Sequence, residues 1–528
     1  MRRGRLVAVL LAAFGLIGAS NAAPLAKTSI EQGKVAGAVK GNVAAFLGIP
    51  YAAPPVGNLR WREPQAPANW KGVRQATAYG ANCMQIITPK GHGPWTWEYS
   101  ALGKVSEDCL TVNVWTPAKV TGEKLPVLFW IHGGGYFEGS SSVAIYDGAA
   151  LAKKGIVVVS LNYRLGALGF LAHPELSAES PHHVSGNYGV LDTIAALKWV
   201  QKNVAAFGGD PSHVTIWGQS AGSGMVIDLT FLPAAKGLFT GAIAESGVGI
   251  GFPMPTMKQA EQMGADFAKA KGATTLAQLR AMSAEDILKL PAAATDFSKP
   301  GPFFMPIMDG WLLPAQYAEL TQQGRFNDTP FLTGQTTNES SAMRPKFGNL
   351  TQAECDADLT RTAGAMAEKF RAAYFKPGVD CNVGLAEMLR DRGVYSAQVW
   401  MKDRLKAGKG PVFGYLYNHF EPGSDAARYG TFHSSDIPYV FNTLDKTPER
   451  PFTDKDRAIA ETLSSYWVNF TKTGNPNGTG LPQWPAVDPA NPKILGTGDT
   501  FAVQAPLTPE RAKLWEELVA SGAMLGMF

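Results

Sequence analysis

The strongest constraint in this sequence is a pentapeptide and what flanks it. Gly218-Gln219-Ser220-Ala221-Gly222 directly follows the apolar run Val214–Trp217, and a helix-compatible stretch follows it. A G-x-S-x-G between a strand and a helix forces the chain through a sharp turn. The glycines leave room for that turn, and the serine hydroxyl is pushed out at the carboxyl end of the strand. The start of the next helix, lying beneath, favours negative charge.

The rest of the chain agrees with a strand in that place. Val127–Ile131 (VLFWI) and Ile156–Leu161 (IVVVSL) are continuous apolar runs of the kind found in strands buried on both faces. Ala242–Ala244, Phe331–Thr333 and Val412–Tyr417 are further strands, and Glu107–Pro117 alternates as a strand carrying Cys109. Between them lie helical patterns. Val190, Ile194, Leu197 and Val204 recur at helical spacing before Gly208-Gly209. A later helix, Asp454 to Lys472, places Ile459, Leu463, Tyr466, Trp467 and Phe470 on one face, with Thr453 as its N-cap and Gly474 as its stop. A last helix opens at Thr508-Pro509. Ala45–Trp61, rich in Pro and Gly, is expected to be an irregular surface stretch. Alternating strands and helices predict a doubly wound α/β fold, a large mostly parallel sheet flanked by helices. With no repeat and no low-complexity linker, residues 24–528 are expected to form one domain, with a mostly helical insertion at about 342–410 roofing the site.

The first residues read as an export signal: Arg2, Arg3 and Arg5, then the apolar run Val7–Ala19, then small residues at Ser20 and Ala22. The run is shorter than the roughly 20 residues a membrane span needs. Cleavage near Ala22 or Ala23 would leave a secreted or periplasmic chain without a span. The formal charge is +4; three of those positives lie in the leader, so the remainder is near neutral. Nucleic acid or an anionic membrane is therefore not an implied partner. Four cysteines in an exported chain suggest two disulfides, and loop closure favours the near neighbours, Cys83–Cys109 and Cys355–Cys381. Each is worth roughly 3 kcal/mol in the chain-entropy picture.

A second chemical signal is His132-Gly133-Gly134-Gly135, straight after the strand Val127–Ile131. Acyl transfer builds an oxyanion, and a glycine run lets backbone N–H groups approach it. Gly134 and Gly135, with Ala221 after the serine, are the candidate donors. No G-x-x-x-x-G-K-[ST] is present to support a phosphate cradle, and no H-E-x-x-H or C-x-x-C suggests a metal, so no cofactor is expected. In this architecture the acid and then the histidine follow the serine in the chain. Only His419 and His433 lie beyond Ser220. His433, in the loop GTFHSSD past a strand, is favoured over His419 at a strand end. For the acid, Glu339 and Asp309 both follow apolar stretches, and spacing leaves the choice open.

Taken together these segments resemble the type-B carboxylesterases of the α/β-hydrolase superfamily, across nearly all of the chain beyond the leader. FLGIPYAAPPVGNLRW (Phe46–Trp61) resembles the family's opening signature, and EDCL (Glu107–Leu110) its second, where the cysteine pairs upstream, here with Cys83. NYRLGALGFL, GNYGVLD and FGGDPSHVTIWGQSAGS (Phe207–Ser223) are similar to its core and serine segments. TGQTTNES is similar to the segment holding the acid, which maps to Glu339, and GTFHSSDIPYVF to the histidine segment, which maps to His433. MPIMDG matches a structural segment, which sets Asp309 aside. Ser340 stands where the family often has Gly, and Gln219 where it often has Glu; neither departure removes a catalytic group. The resemblance implies a serine hydrolase acting on small carboxylic esters through Ser220, His433 and Glu339. Its rivals are amide hydrolysis or acyl transfer by the same triad, and a non-catalytic adhesion module on the same fold.

Overall fold

The computed structural model describes residues 23–249, 253–289, 303–423, 426–523 and 525. The expected leader, apart from Ala23, lies outside the described residues.

One mixed sheet of eleven strands organises the fold. In chain order these are β1 (Ala38–Lys40), β2 (Val43–Pro50), β3 (Thr111–Thr116), β4 (Leu125–Ile131), β5 (Val157–Leu161), β6 (Gly209–Gln219), β7 (Gly241–Glu245), β8 (Phe331–Thr336), β9 (Val412–Tyr417), β10 (Ile494–Thr497) and β11 (Ala502–Gln504). Across the sheet they run β11-β10-β9-β8-β7-β6-β4-β5-β3-β2-β1. The block from β5 to β10 is parallel throughout, and both margins are antiparallel. The parallel strands are buried on both faces because helices cover both, which is why they read as unbroken apolar runs.

The order reverses at β4: β5 lies on one side of it and β6 on the other. At such a switch point the loops leaving the carboxyl ends of neighbouring strands part to opposite faces and open a crevice. The glycine run leaves β4 there, and Ser220 leaves β6.

The stretch Ala45–Trp61 departs from the surface loop expected of it. Val43–Pro50 is a strand in the main sheet, with Phe46, Ile49 and Trp61 buried. Its pairing with β3 slips between Phe46 and Ile49, and Gly48 sits at φ +68°, so an irregular strand hides its alternation. Behind the parallel block, Trp130, Trp217 and Phe441 pack ring on ring, with centroids 4.3 to 5.0 Å apart. Such aromatic pairs contribute about 0.5–1.5 kcal/mol each beyond their buried area.

The helices that matter for the site are α1 (Tyr188–Asn203), α2 (Ala221–Phe231), α3 (Gln352–Ala363), α4 (Cys381–Ala407) and α5 (Asp454–Thr473). Helix α5 opens on a Thr453/Asp456 capping box and stops at Gly474 in the left-handed region. Its five apolar positions are all buried. The stretch 342–410 is mostly helical, and its last helix, α4, is part of the core: Trp400 lies 4.8 Å from Phe331 of β8, and Met388 is fully buried. Disulfides join Cys83 to Cys109 and Cys355 to Cys381, the second tying α3 to the start of α4. Among the described residues no helix is long and apolar enough to cross a membrane.

Candidate active site

Ser220 stands between β6 and α2 with φ +57° and ψ −124°, a conformation that costs of order 1–3 kcal/mol and persists only when its surroundings impose it. Two contacts impose it. Its N–H donates to the Glu245 carbonyl (2.9 Å), and its own carbonyl accepts from Gly224 N–H (3.0 Å). The flanking glycines are needed for space. A Cβ on Gly218 would lie 2.2 Å from the Gly222 carbonyl oxygen, and one on Gly222 would lie 2.1 Å from that of Ile131. The elbow is thus wedged against the end of β4. Ser220 stays half-buried while Gln219 and Ala221 are buried.

The glycine run lies against the same serine. A Cβ on Gly133 would come within 3.0 Å of Ser220 Cβ. Gly134 and Gly135 have φ of +106° and +59°. Ala221 is the first residue of α2, so its N–H has no intrahelical acceptor. His132 is a structural member of this loop. Its ring stacks on Tyr163 with centroids 4.5 Å apart, its Nδ1 meets the Gly133 carbonyl, and Tyr163 donates to its carbonyl (2.9 Å). Burial, offset in part by the Gly133 contact, pushes its imidazole down to about 4, so it stays neutral at working pH.

His433 and Glu339 meet directly: Nδ1 of the ring contacts Glu339 Oε2, both side chains being almost wholly buried. Glu339 Oε1 accepts from Ser246 Oγ (2.6 Å) and from the Thr336 N–H (2.7 Å). Burial alone would raise the Glu339 carboxyl. The charge and hydrogen bond of His433, with Ser246 and Thr336, outweigh it and hold the group below the ordinary carboxylate range. On the other edge of the ring, Nε2 lies 3.1 Å from the Gln219 carboxamide nitrogen, one residue before Ser220. The His433 loop is pinned from two sides. Asn338 N–H donates to the Thr431 carbonyl (3.0 Å), and Trp95 Nε1, from the loop closed by Cys83–Cys109, donates to the His433 carbonyl (2.9 Å).

The rivals have other work. Both ring nitrogens of His419 are engaged, Nδ1 by Asp499 and Nε2 by Asp456, each at 2.9 Å. Asp309 accepts three consecutive amides, from Trp311, Leu312 and Leu313, and the Asn187 carboxamide. It shapes a turn. Three partners of the site have no local signal in the sequence: Ser246, Trp95 and the contact of Gln219 with the ring. Ser246 follows β7 at φ +52°, a second strained serine after a strand.

A strained serine at a switch point, a glycine loop beside it, and a histidine backed by a buried carboxylate together define a hydrolase of the α/β type. A profile described as "Carboxylesterase family" matches residues 24–515, and the chain belongs to that family. It is 36% identical over 467 residues to fumonisin B1 esterase of Sphingopyxis macrogoltabida, covering 86% of this chain and 83% of that protein. It is 35% identical over 499 residues to para-nitrobenzyl esterase of Bacillus subtilis (92% and 97%), and 32% over 536 residues to human cocaine esterase (95% and 92%). A solved structure titled PNB esterase superposes with a TM-score of 0.77 at 33% identity, covering 92% of this chain and 99% of that one. The fold is the α/β-hydrolase fold, and the protein is a carboxylic ester hydrolase.

Proposed function

We propose that the chain hydrolyses small-molecule carboxylic esters through an acyl-enzyme on Ser220. His433 Nε2 takes the Ser220 proton as Oγ attacks the ester carbonyl. The tetrahedral oxyanion rests on the amides of Gly134, Gly135 and Ala221. His433 then gives the proton to the departing alcohol. A water activated by the same nitrogen releases the acid and restores Ser220. Glu339 keeps the imidazole proton on Nδ1 and balances the charge that the ring gains. The observation carrying this reading is the His433 ring held between the buried Glu339 carboxylate and the residue preceding Ser220. We further read the protein as exported, in keeping with its two disulfides.

The test is release of nitrophenol from p-nitrophenyl acetate through decanoate by the wild type beside Ser220→Ala. The expected result is turnover by the wild type and a fall to background in the variant. Equal activity of the two proteins would remove Ser220 as nucleophile. Silence of the wild type on every ester would favour a binding role for the fold.

A further inference from the structure

At α3, two arginines grip one carboxylate, and a third arginine is buried within electrostatic reach of it. Asp358, on α3, gives one oxygen to Arg344 and the other to Arg361. Each of its oxygens thus already holds one arginine. Arg392, on α4, lies within electrostatic reach of the same three groups, and is only 9% exposed. Its Nε and Nη2 are buried and have no acceptor among the described residues. An uncompensated buried guanidinium is costly, and such groups are ordinarily paired. Burial first, and then the like charges of Arg344 and Arg361, push this guanidinium down to about 10, the direction expected where positive charge is in excess. Two further buried polar atoms have no partner among the described residues: Gln335 Nε2, whose carboxamide lies against Gly393, the residue after Arg392, and Ser341 Oγ, three residues before Arg344. The cluster adjoins the candidate active site, since Gly393, Ser396 and Ala397 of α4 line a small cavity together with Glu339 and Ser246.

We propose that Arg392, Arg344 and Arg361 form a binding site for a small oxyanion, a carboxylate or a phosphate group, seated on the Arg392 guanidinium. A planar guanidinium offers two parallel N–H donors that match such an anion, and the ligand would supply the acceptors that Arg392 Nε and Nη2 lack. The proposal goes beyond ester hydrolysis, and binding can be read without it.

The experiment is isothermal titration and thermal unfolding of the whole protein with inorganic phosphate and with glutarate, against sodium chloride at equal ionic strength. The variants are Arg392→Gln and Arg361→Gln; the Arg361 side chain is 65% exposed, so its replacement spares the core. The expected result is saturable binding to the wild type with a rise of about 2–4 °C in unfolding temperature, about tenfold weaker binding to Arg361→Gln, and none to Arg392→Gln. Absence of saturable binding to the wild type, or equal binding to Arg361→Gln and the wild type, overturns the proposal. Kinetics then separate two sources of the anion. A KM for p-nitrophenyl hydrogen glutarate raised about tenfold in Arg392→Gln, with that for p-nitrophenyl butyrate unchanged, assigns the site to an acidic group on the ester itself. Unchanged KM for both, with phosphate binding lost, assigns it to a free ion.

Discussion

Replacing Gly222 by alanine probes how tightly the elbow is wedged. The added Cβ would lie 2.1 Å from the Ile131 carbonyl oxygen and 2.8 Å from that of His132, where ordinary contact begins at 3.4 Å. Both obstacles are backbone, at the end of β4 and the start of the glycine loop. Relief therefore needs α2 and that loop to part by about 1.3 Å, the difference between 3.4 and 2.1 Å. A misplacement of about 1 Å can cost 10²-fold in rate, and loss of one oxyanion donor costs about 10²–10³. Overpacking of this kind destabilises by about 1–3 kcal/mol. Gly222→Ala is expected to lose about 10²–10³ in kcat on p-nitrophenyl butyrate while remaining folded by circular dichroism. Gly224→Ala, two residues on in the same helix, is the matched control. Its Cβ meets only the far end of the Tyr136 side chain, which can give by a tilt of the ring without a shift of backbone, so its kcat should fall by less than tenfold. Wild-type kcat in Gly222→Ala, or equal losses in the two variants, would refute the argument that backbone contact at this point sets the geometry.

Two further outcomes follow from the carboxylates around the proposed triad. Ser246→Ala removes one charge-assisted hydrogen bond to Glu339, worth about 1.5–3 kcal/mol; because Glu339 is held below its ordinary range, that contribution is present at neutral pH and fades on acidification, so the stability gap between wild type and variant, measured by urea unfolding, should narrow as pH falls through the acid range. Asp436 behaves oppositely. Burial, followed by the negative charge of Glu339, pushes its carboxyl up to about 7, with Glu245 the other buried carboxylate facing it and Tyr415 Oη donating at 3.0 Å. Between about pH 4, the unfolded value, and about 7 the native state holds a proton that the unfolded chain has released, so wild-type stability falls with rising pH. Asp436→Asn escapes this, and its advantage in thermal unfolding should grow by about 2–4 kcal/mol from pH 4 to pH 8; a gap that stays constant across that range would contradict the assignment.

The part of the candidate site that lies on continuous segments was legible. The strand, the elbow and the glycine run each announce themselves within a dozen residues, because steric need and residue type coincide there. Asp309 and Glu339 could not be separated by spacing, since both follow apolar stretches; what separates them is three amides that converge on one and an imidazole that meets the other. Ser246 and Trp95 act across 93 and 338 residues of chain, and no local pattern encodes such a meeting. The strand at Val43–Pro50 was obscured for another reason: the register slip at Gly48 and the following prolines break the period-two signal on which a strand reading depends.

The arrangement of the sheet also decides when the machinery exists at all. The glycine loop and the serine come from β4 and β6, with Glu245 of β7 holding the turn, all within residues 125–245, whereas the proposed acid follows β8 and the proposed base lies beyond β9. On the proposed mechanism, a chain in which only β4, β6 and β7 have docked holds a bent serine and nothing to take its proton. With His433 as the proposed base, the last strands and the loop that carries it would be an internal checkpoint: chemistry would be withheld until the later strands are paired, and a partly folded molecule would be silent by construction rather than by inhibition.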